Sequence, residues 1–141
     1  MSELPLKSKD FKRLADLRAR EAGILARNKC EQGAYYLAGY AVECALKACI
    51  AKKTRQHDFP PNRKYVDKVY SHDLASLLKL AELDKLLEED MKNNQALAKN
   101  WLVVTEWDEN KRYDIAELKG KDLHEAITGP DGVLPWIKQR W

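Results

Sequence analysis

From Ala34 to Ala51 the chain is apolar almost without a break, and its only charges in that run are Glu43 and Lys47. A helix that is hydrophobic on all sides belongs at the centre of a bundle. Tyr36, Tyr40, Glu43 and Lys47 recur at helical spacing, so two phenols, a carboxylate and an ammonium line one stripe of that helix. Two readings of the stripe stay open: a satisfied ion pair at the edge of the core, or the wall of a ligand site.

The flanking patterns are helical too. Between about 9 and 28, Phe11, Leu14, Ala15, Ala22 and Leu25 recur with a helical period, and the polar stretch from Asn28 to Gln32 predicts a tight antiparallel hairpin with the central helix. Arg18 interrupts that apolar face and is expected to snorkel outward. Thr54 to Tyr70, punctuated by Pro60-Pro61, predicts a long loop. Ser71 is the expected cap of a short helix that starts at His72 and buries Leu74, Leu77, Leu78 and Ala81. After a break at Leu83-Asp84, one long helix is predicted as far as Thr105, with Asn94 intruding on its apolar side as an internal hydrogen bonder. The segment from Trp107 to Asp114 leaves the helix and concentrates charge and aromatic groups, making it a second candidate site. A helix from Lys121 to Thr128, a stop at Gly129-Pro130-Asp131-Gly132 and a terminal helix from Val133 complete the pattern. No period-two alternation is sustained, so the fold class is all-α, a single bundle domain over 1–141 with its core at about 9–141.

Composition narrows the chemistry. With 141 residues, 45% of them hydrophobic and 33% charged, the chain is long enough to bury one core. Its net charge of +3 permits contact with nucleic acid without demanding it. The polar N-terminus and the charges within 34–51 lead us to expect no secretory leader and no membrane span, hence a cytoplasmic protein. Cys30, Cys44 and Cys49 are odd in number and read as reduced thiols. No zinc-ligand spacing, Glu-x-x-His pair, glycine-rich phosphate loop or Gly-x-Ser-x-Gly elbow is present, so neither a metal nor a cofactor is expected. Trp101, Trp107, Trp136 and Trp141 crowd the last third, where they are expected to fill the core and the centre of an interface.

Tyr35 to Lys47, then His72-Asp73-Leu74 opening a short helix, then Arg112-Tyr113 after a long one, then Trp136-Ile137-Lys138 in the last helix, together resemble the HEPN domain (higher eukaryotes and prokaryotes nucleotide-binding) over nearly the whole chain. The resemblance implies an up-and-down bundle of about five helices, a homodimer, and a prokaryotic module. It also implies a minimal nucleotidyltransferase, a nucleotide or RNA as partner, and a setting in toxin–antitoxin or other defence systems. Active members of that family are metal-independent RNases that use an arginine followed after four to six residues by a histidine. None of His57, His72 and His124 has an arginine at that distance. Metal-free RNA cleavage needs a base, an acid and a cation within hydrogen-bond reach, so the missing spacing points away from catalysis.

Two sets of residues remain as candidates. Tyr40, Glu43, Lys47, His72, Arg112 and Tyr113 could line a pocket for phosphate and base, with Tyr113 stacking on a nucleobase; the competing expectation is an Arg112–Glu43 pair that only fastens a turn to the central helix. The alternative function, an RNase toxin, would use Arg112 and His124 as a spaced-out catalytic pair.

Overall fold

Small side chains decide how the two longest helices meet. In the computed structural model, which describes residues 7–57, 68–110 and 117–141 (residues 54–57 by their backbone only), helix α1 (Ser8–Arg27) turns back along α2 (Glu31–His57). Ala15, Ala19 and Ala22 of α1 and Ala38, Ala41 and Ala45 of α2 are buried in one core. Alanine carries no bulk beyond Cβ and loses no rotamer freedom in a helix, so two alanine stripes favour both helix formation and a close approach of the axes. Arg18 stays at the surface, paired with Glu21.

The remaining helices wrap α2. They are α3 (Leu74–Leu80), α4 (Asp84–Asn93), α5 (Gln95–Thr105), α6 (Gly120–Thr128) and α7 (Val133–Lys138), and no strand occurs among the described residues. Helices α1, α3, α6 and α7 all pack on α2, and α5 reaches the bundle through α6 and α7. The all-α bundle expected from the hydrophobic pattern is therefore the fold. Helix α2 occupies its centre, with Val42, Leu46 and Ile50 fully enclosed.

Three boundaries differ from the sequence pattern, each for a local reason. The long helix expected to end at Thr105 is broken at Asn94, whose backbone is extended; its side chain accepts from the Leu97 N–H at 3.1 Å and donates to Asp131 at 2.9 Å. Asn94 is thus a satisfied hydrogen bonder, but as the N-cap of α5. At α3 the cap is Asp73, which accepts from the N–H groups of Ala75 and Ser76, while Ser71 Oγ accepts from the Asp73 N–H. Helix α2 runs on to His57, four residues into the expected loop; the rest of that loop up to Asp67 lies outside the described residues.

The C-terminus is fastened by a polar knot. Asp90 of α4 accepts from the Trp136 indole at 2.8 Å and from Arg140 at 3.1 Å, and the Arg140 guanidinium lies 3.9 Å from the centre of the Trp136 ring. Trp101, Trp107 and Trp136 are all buried within the single chain, and Trp141 packs on the core beneath the ammonium groups of Lys12 and Lys138. The tryptophan cluster of the last third serves the core.

Helices α1 and α3 both stop in a Schellman turn without glycine. The Cys30 N–H bonds to Leu25 O and Lys29 N–H to Ala26 O, with Lys29 at φ 60°; Leu83 N–H bonds to Leu78 O and Glu82 N–H to Lys79 O, with Glu82 at φ 60°. A side chain in the left-handed region costs about 1 kcal/mol that glycine does not. Lys29→Gly, at an exposed site, is expected to stabilise the fold by up to about 1 kcal/mol, measured as a higher midpoint in urea at unchanged slope.

Candidate functional site

The predicted stripe of α2 exists as a physical cluster. Tyr36 and Tyr40 stand one turn apart with hydroxyl oxygens 2.8 Å apart and rings edge to face at 4.7 Å. The next two turns carry Glu43, whose exposure is only 4%, and Lys47, which donates to Glu43 Oε2 at 3.1 Å.

His72 is brought onto this stripe by the start of α3. The Asp73 cap fixes the backbone there, and Leu74, Leu77 and Leu78 anchor the helix in the core, so the residue just before the cap is held against α2. Its Nδ1 lies 2.8 Å from Glu43 Oε1 and its Nε2 lies 3.1 Å from Glu109 Oε2. The imidazolium form donates from both nitrogens at once; either neutral tautomer keeps one of the two bonds.

The fourth wall comes from beyond α5. Trp107 lies over Gly39 of α2, where a Cβ atom would sit 2.1 Å from the indole, so only glycine admits the ring. The indole meets Tyr40 edge to face at 5.4 Å and Tyr36 at 6.2 Å, and its buried Nε1 has no hydrogen-bond partner among the described residues. Trp107 also fixes the direction in which Asp108 and Glu109 leave the helix. Glu109 thereby reaches the outer nitrogen of His72.

Beside the cluster opens a cleft of about 470 Å³ whose lining includes His72 and Trp107 together with Asp73, Glu106, Asp108 and Glu109. Four carboxylates at one rim make a negative potential. The Tyr35 phenol, bonded to the Glu106 carbonyl, feels it: its pKa is raised first by burial and then by Glu106 and Asp108. Tyr40 is raised further, by burial and then by its bond to Tyr36. Burial also pushes the Cys44 thiol up to about 11, with Glu43 adding to the rise and Lys47 and Arg18 opposing it. Among the described residues no group of His, Cys, Asp and Glu is arranged to hold a metal ion.

Of the candidate binding residues, Tyr40, Glu43, Lys47 and His72 come together. Arg112 and Tyr113 lie outside the described residues, and with them the expected Arg112–Glu43 pair. The observed partners of Glu43 are Lys47 and His72. His124, named for catalysis with Arg112, is not among the residues of the cluster or of the cleft lining; its imidazole lies against Gly23 of α1. Sequence reasoning placed Trp107 and Glu109 in a second candidate site and did not join them to the α2 stripe, although the one glycine of the apolar run 34–51, Gly39, marked the place where a ring had to fit. No protein-family model matches the chain, and no match was found among curated proteins or solved structures.

Two outcomes test this geometry. Glu43→Ala would strand a largely buried ammonium and remove one bond of His72, a loss expected to reach roughly 3 kcal/mol, with Glu43 and His72 non-additive in a double-mutant cycle by denaturant melts. For Cys44, the folded pKa near 11 stands above the ordinary value of 9.0, so folding favours the protonated thiol. The stability this contributes is complete below about pH 9 and falls as pH rises towards 11. At pH 8, iodoacetamide is expected to label exposed Cys30 well before Cys44 and buried Cys49, read site by site by mass spectrometry.

Proposed function

We propose that this chain is a non-catalytic helical module of the HEPN type that works by binding another protein. A minimal nucleotidyltransferase is the partner its resemblance implies, and a toxin–antitoxin or defence system the setting. One observation carries the reading: the cationic groups that would receive a phosphate are already engaged by carboxylates. Lys47 is bound to Glu43, and both nitrogens of His72 face carboxylate oxygens. The adjoining cleft adds Asp73, Glu106 and Asp108, so a nucleotide entering it would displace existing pairs and meet like charge. Of the ligands the resemblance implies, a protein partner therefore has more support than a nucleotide in this cleft.

The outer face of α1 supports the same reading. Arg13, Leu17, Arg20, Ile24 and Arg27 follow one another at helical spacing and are exposed, Leu17 by 42% and Ile24 by 41%, and none of the three arginines has an ion-pair partner among the described residues. Aliphatic groups alternating with free guanidiniums suit an acidic and partly apolar protein surface better than a bare phosphate chain.

The alternative, an RNase toxin built on Arg112 and His124, turns on Arg112, which lies outside the described residues. The discriminating experiment incubates purified protein with single-stranded RNA and titrates it calorimetrically with ATP, then co-expresses it with a minimal nucleotidyltransferase. The expected outcome is co-elution with the transferase, intact RNA and no heat from ATP. RNA cleavage lost in His124→Ala would replace this reading with the enzymatic one, and ATP binding lost in His72→Ala would replace it with the nucleotide-binding one.

A further inference from the structure

Helix α1 carries a second stripe on the side away from its buried alanines. Arg13, Leu17, Arg20, Ile24 and Arg27 follow one another at intervals of four, three, four and three residues, the spacing of the a and d positions along one seam of a coiled coil. All five are exposed. Aliphatic groups and guanidiniums thus alternate along about 21 Å of helix surface, at a rise of about 1.5 Å per residue. The carboxylates beside the stripe are already engaged. Asp16 is bonded to Lys138 of α7 and Glu21 to Arg18, whereas Arg13, Arg20 and Arg27 have no ion pair among the described residues. Each is a forked donor without its acceptor.

The pattern selects among occupants. Insertion into a lipid surface needs a continuous apolar face, but Arg20 stands between Leu17 and Ile24, and the alanine stripe of α1 is buried in the core with α2. A single-stranded nucleic acid would find cations on the stripe and no ring to stack on. A second copy of α1 offers each arginine only another arginine or an aliphatic group, whichever way it runs, because the stripe from 13 to 27 holds no carboxylate. What fits is a helix of different sequence. Its own aliphatic groups, repeating every seven residues, would cover Leu17 and Ile24, and carboxylates between them would meet the guanidiniums.

We infer that α1 is one half of a two-helix seam whose other half is an acidic amphipathic helix of a different protein, with aliphatic residues at one seam position and carboxylates at the other. This rests on the partner-binding reading and narrows it to a surface and a partner chemistry. The alternation supplies specificity. An arginine opposite an aliphatic residue leaves its charge unpaired, so a partner displaced by half a heptad loses both kinds of contact at once.

The test is fluorescence anisotropy of the full chain with a labelled synthetic helix of about three heptads, carrying leucine at a and glutamate at d, beside a peptide of the same composition in scrambled order. A single helix face is smaller than a standard interface, so a Kd of about 10–100 µM is expected for the patterned peptide, and at least roughly tenfold weaker binding for the scrambled one. Leu17→Glu and Arg20→Glu should each weaken binding roughly tenfold. The triple variant Arg13→Glu/Arg20→Glu/Arg27→Glu should lose the glutamate peptide and gain one with lysine at every d position. These substitutions are at exposed positions, and an unchanged helical circular dichroism spectrum confirms the fold of each variant. Equal binding of the scrambled peptide, indifference to Leu17→Glu, or failure of the triple variant to exchange peptides would each overturn the inference. So would tighter binding of single-stranded RNA or of phosphatidylserine vesicles that the triple variant abolishes. The peptide assay contains no nucleotidyltransferase, so it can fail while co-elution with the transferase stands, and the reverse.

Discussion

A carboxylate enclosed by the central helix of the bundle sets the terms for everything around it. Glu43 is the one charged residue that is fully buried among those described, and a charge removed from water is tolerable only when its lone pairs are taken. Lys47 alone cannot do this, since it reaches a single oxygen from one turn away. The other oxygen needs a donor from outside α2, and His72 provides it. The position of α3 follows: its cap must stand where His72 can reach Glu43, and its leucines must enter the core from that point. Glu109 extends the same logic outward, taking the far nitrogen of His72 and so drawing in the residues after Trp107. One buried charge thus specifies the relative placement of α2, α3 and the chain beyond α5.

Hydrophobic periodicity revealed the bundle, its central helix and the Tyr40–Glu43–Lys47 stripe, because these depend on spacing within one helix. What it could not show was which elements meet. Glu43 was matched in expectation with Lys47 or Arg112; Lys47 is one of its partners and His72, from outside α2, is another that spacing within one helix could not reveal, while Arg112 lies outside the described residues. Asn94 failed as a helix-interior residue for a related reason. Its fit to an apolar stripe on either side described two helices as well as one, and the deciding factor was that its amide could reach both Leu97 and Asp131. The helix stops near Lys29 and Glu82 were legible as polar breaks, but their left-handed residues were not, since each turn takes one without the glycine that usually announces it.

The net charge of +3 conceals a division that bears on function. From Lys7 to Lys29, eight basic residues stand against three acidic ones, and from Glu82 to Glu109 the numbers are reversed. Helix α1 and the α4–α5 hairpin have no substantial contact with each other, so the two charge populations occupy different faces of the bundle. An anionic ligand or an acidic protein is therefore drawn to α1 and away from the cleft, over distances comparable to the Debye length of roughly 10 Å. That division explains why the His72 cluster can be the most chemically suggestive part of the molecule and still be a poor receptor for phosphate. Its histidine and lysine hold the fold together against a buried carboxylate, and the arginines without an ion pair among the described residues stand elsewhere, on the outer face of α1.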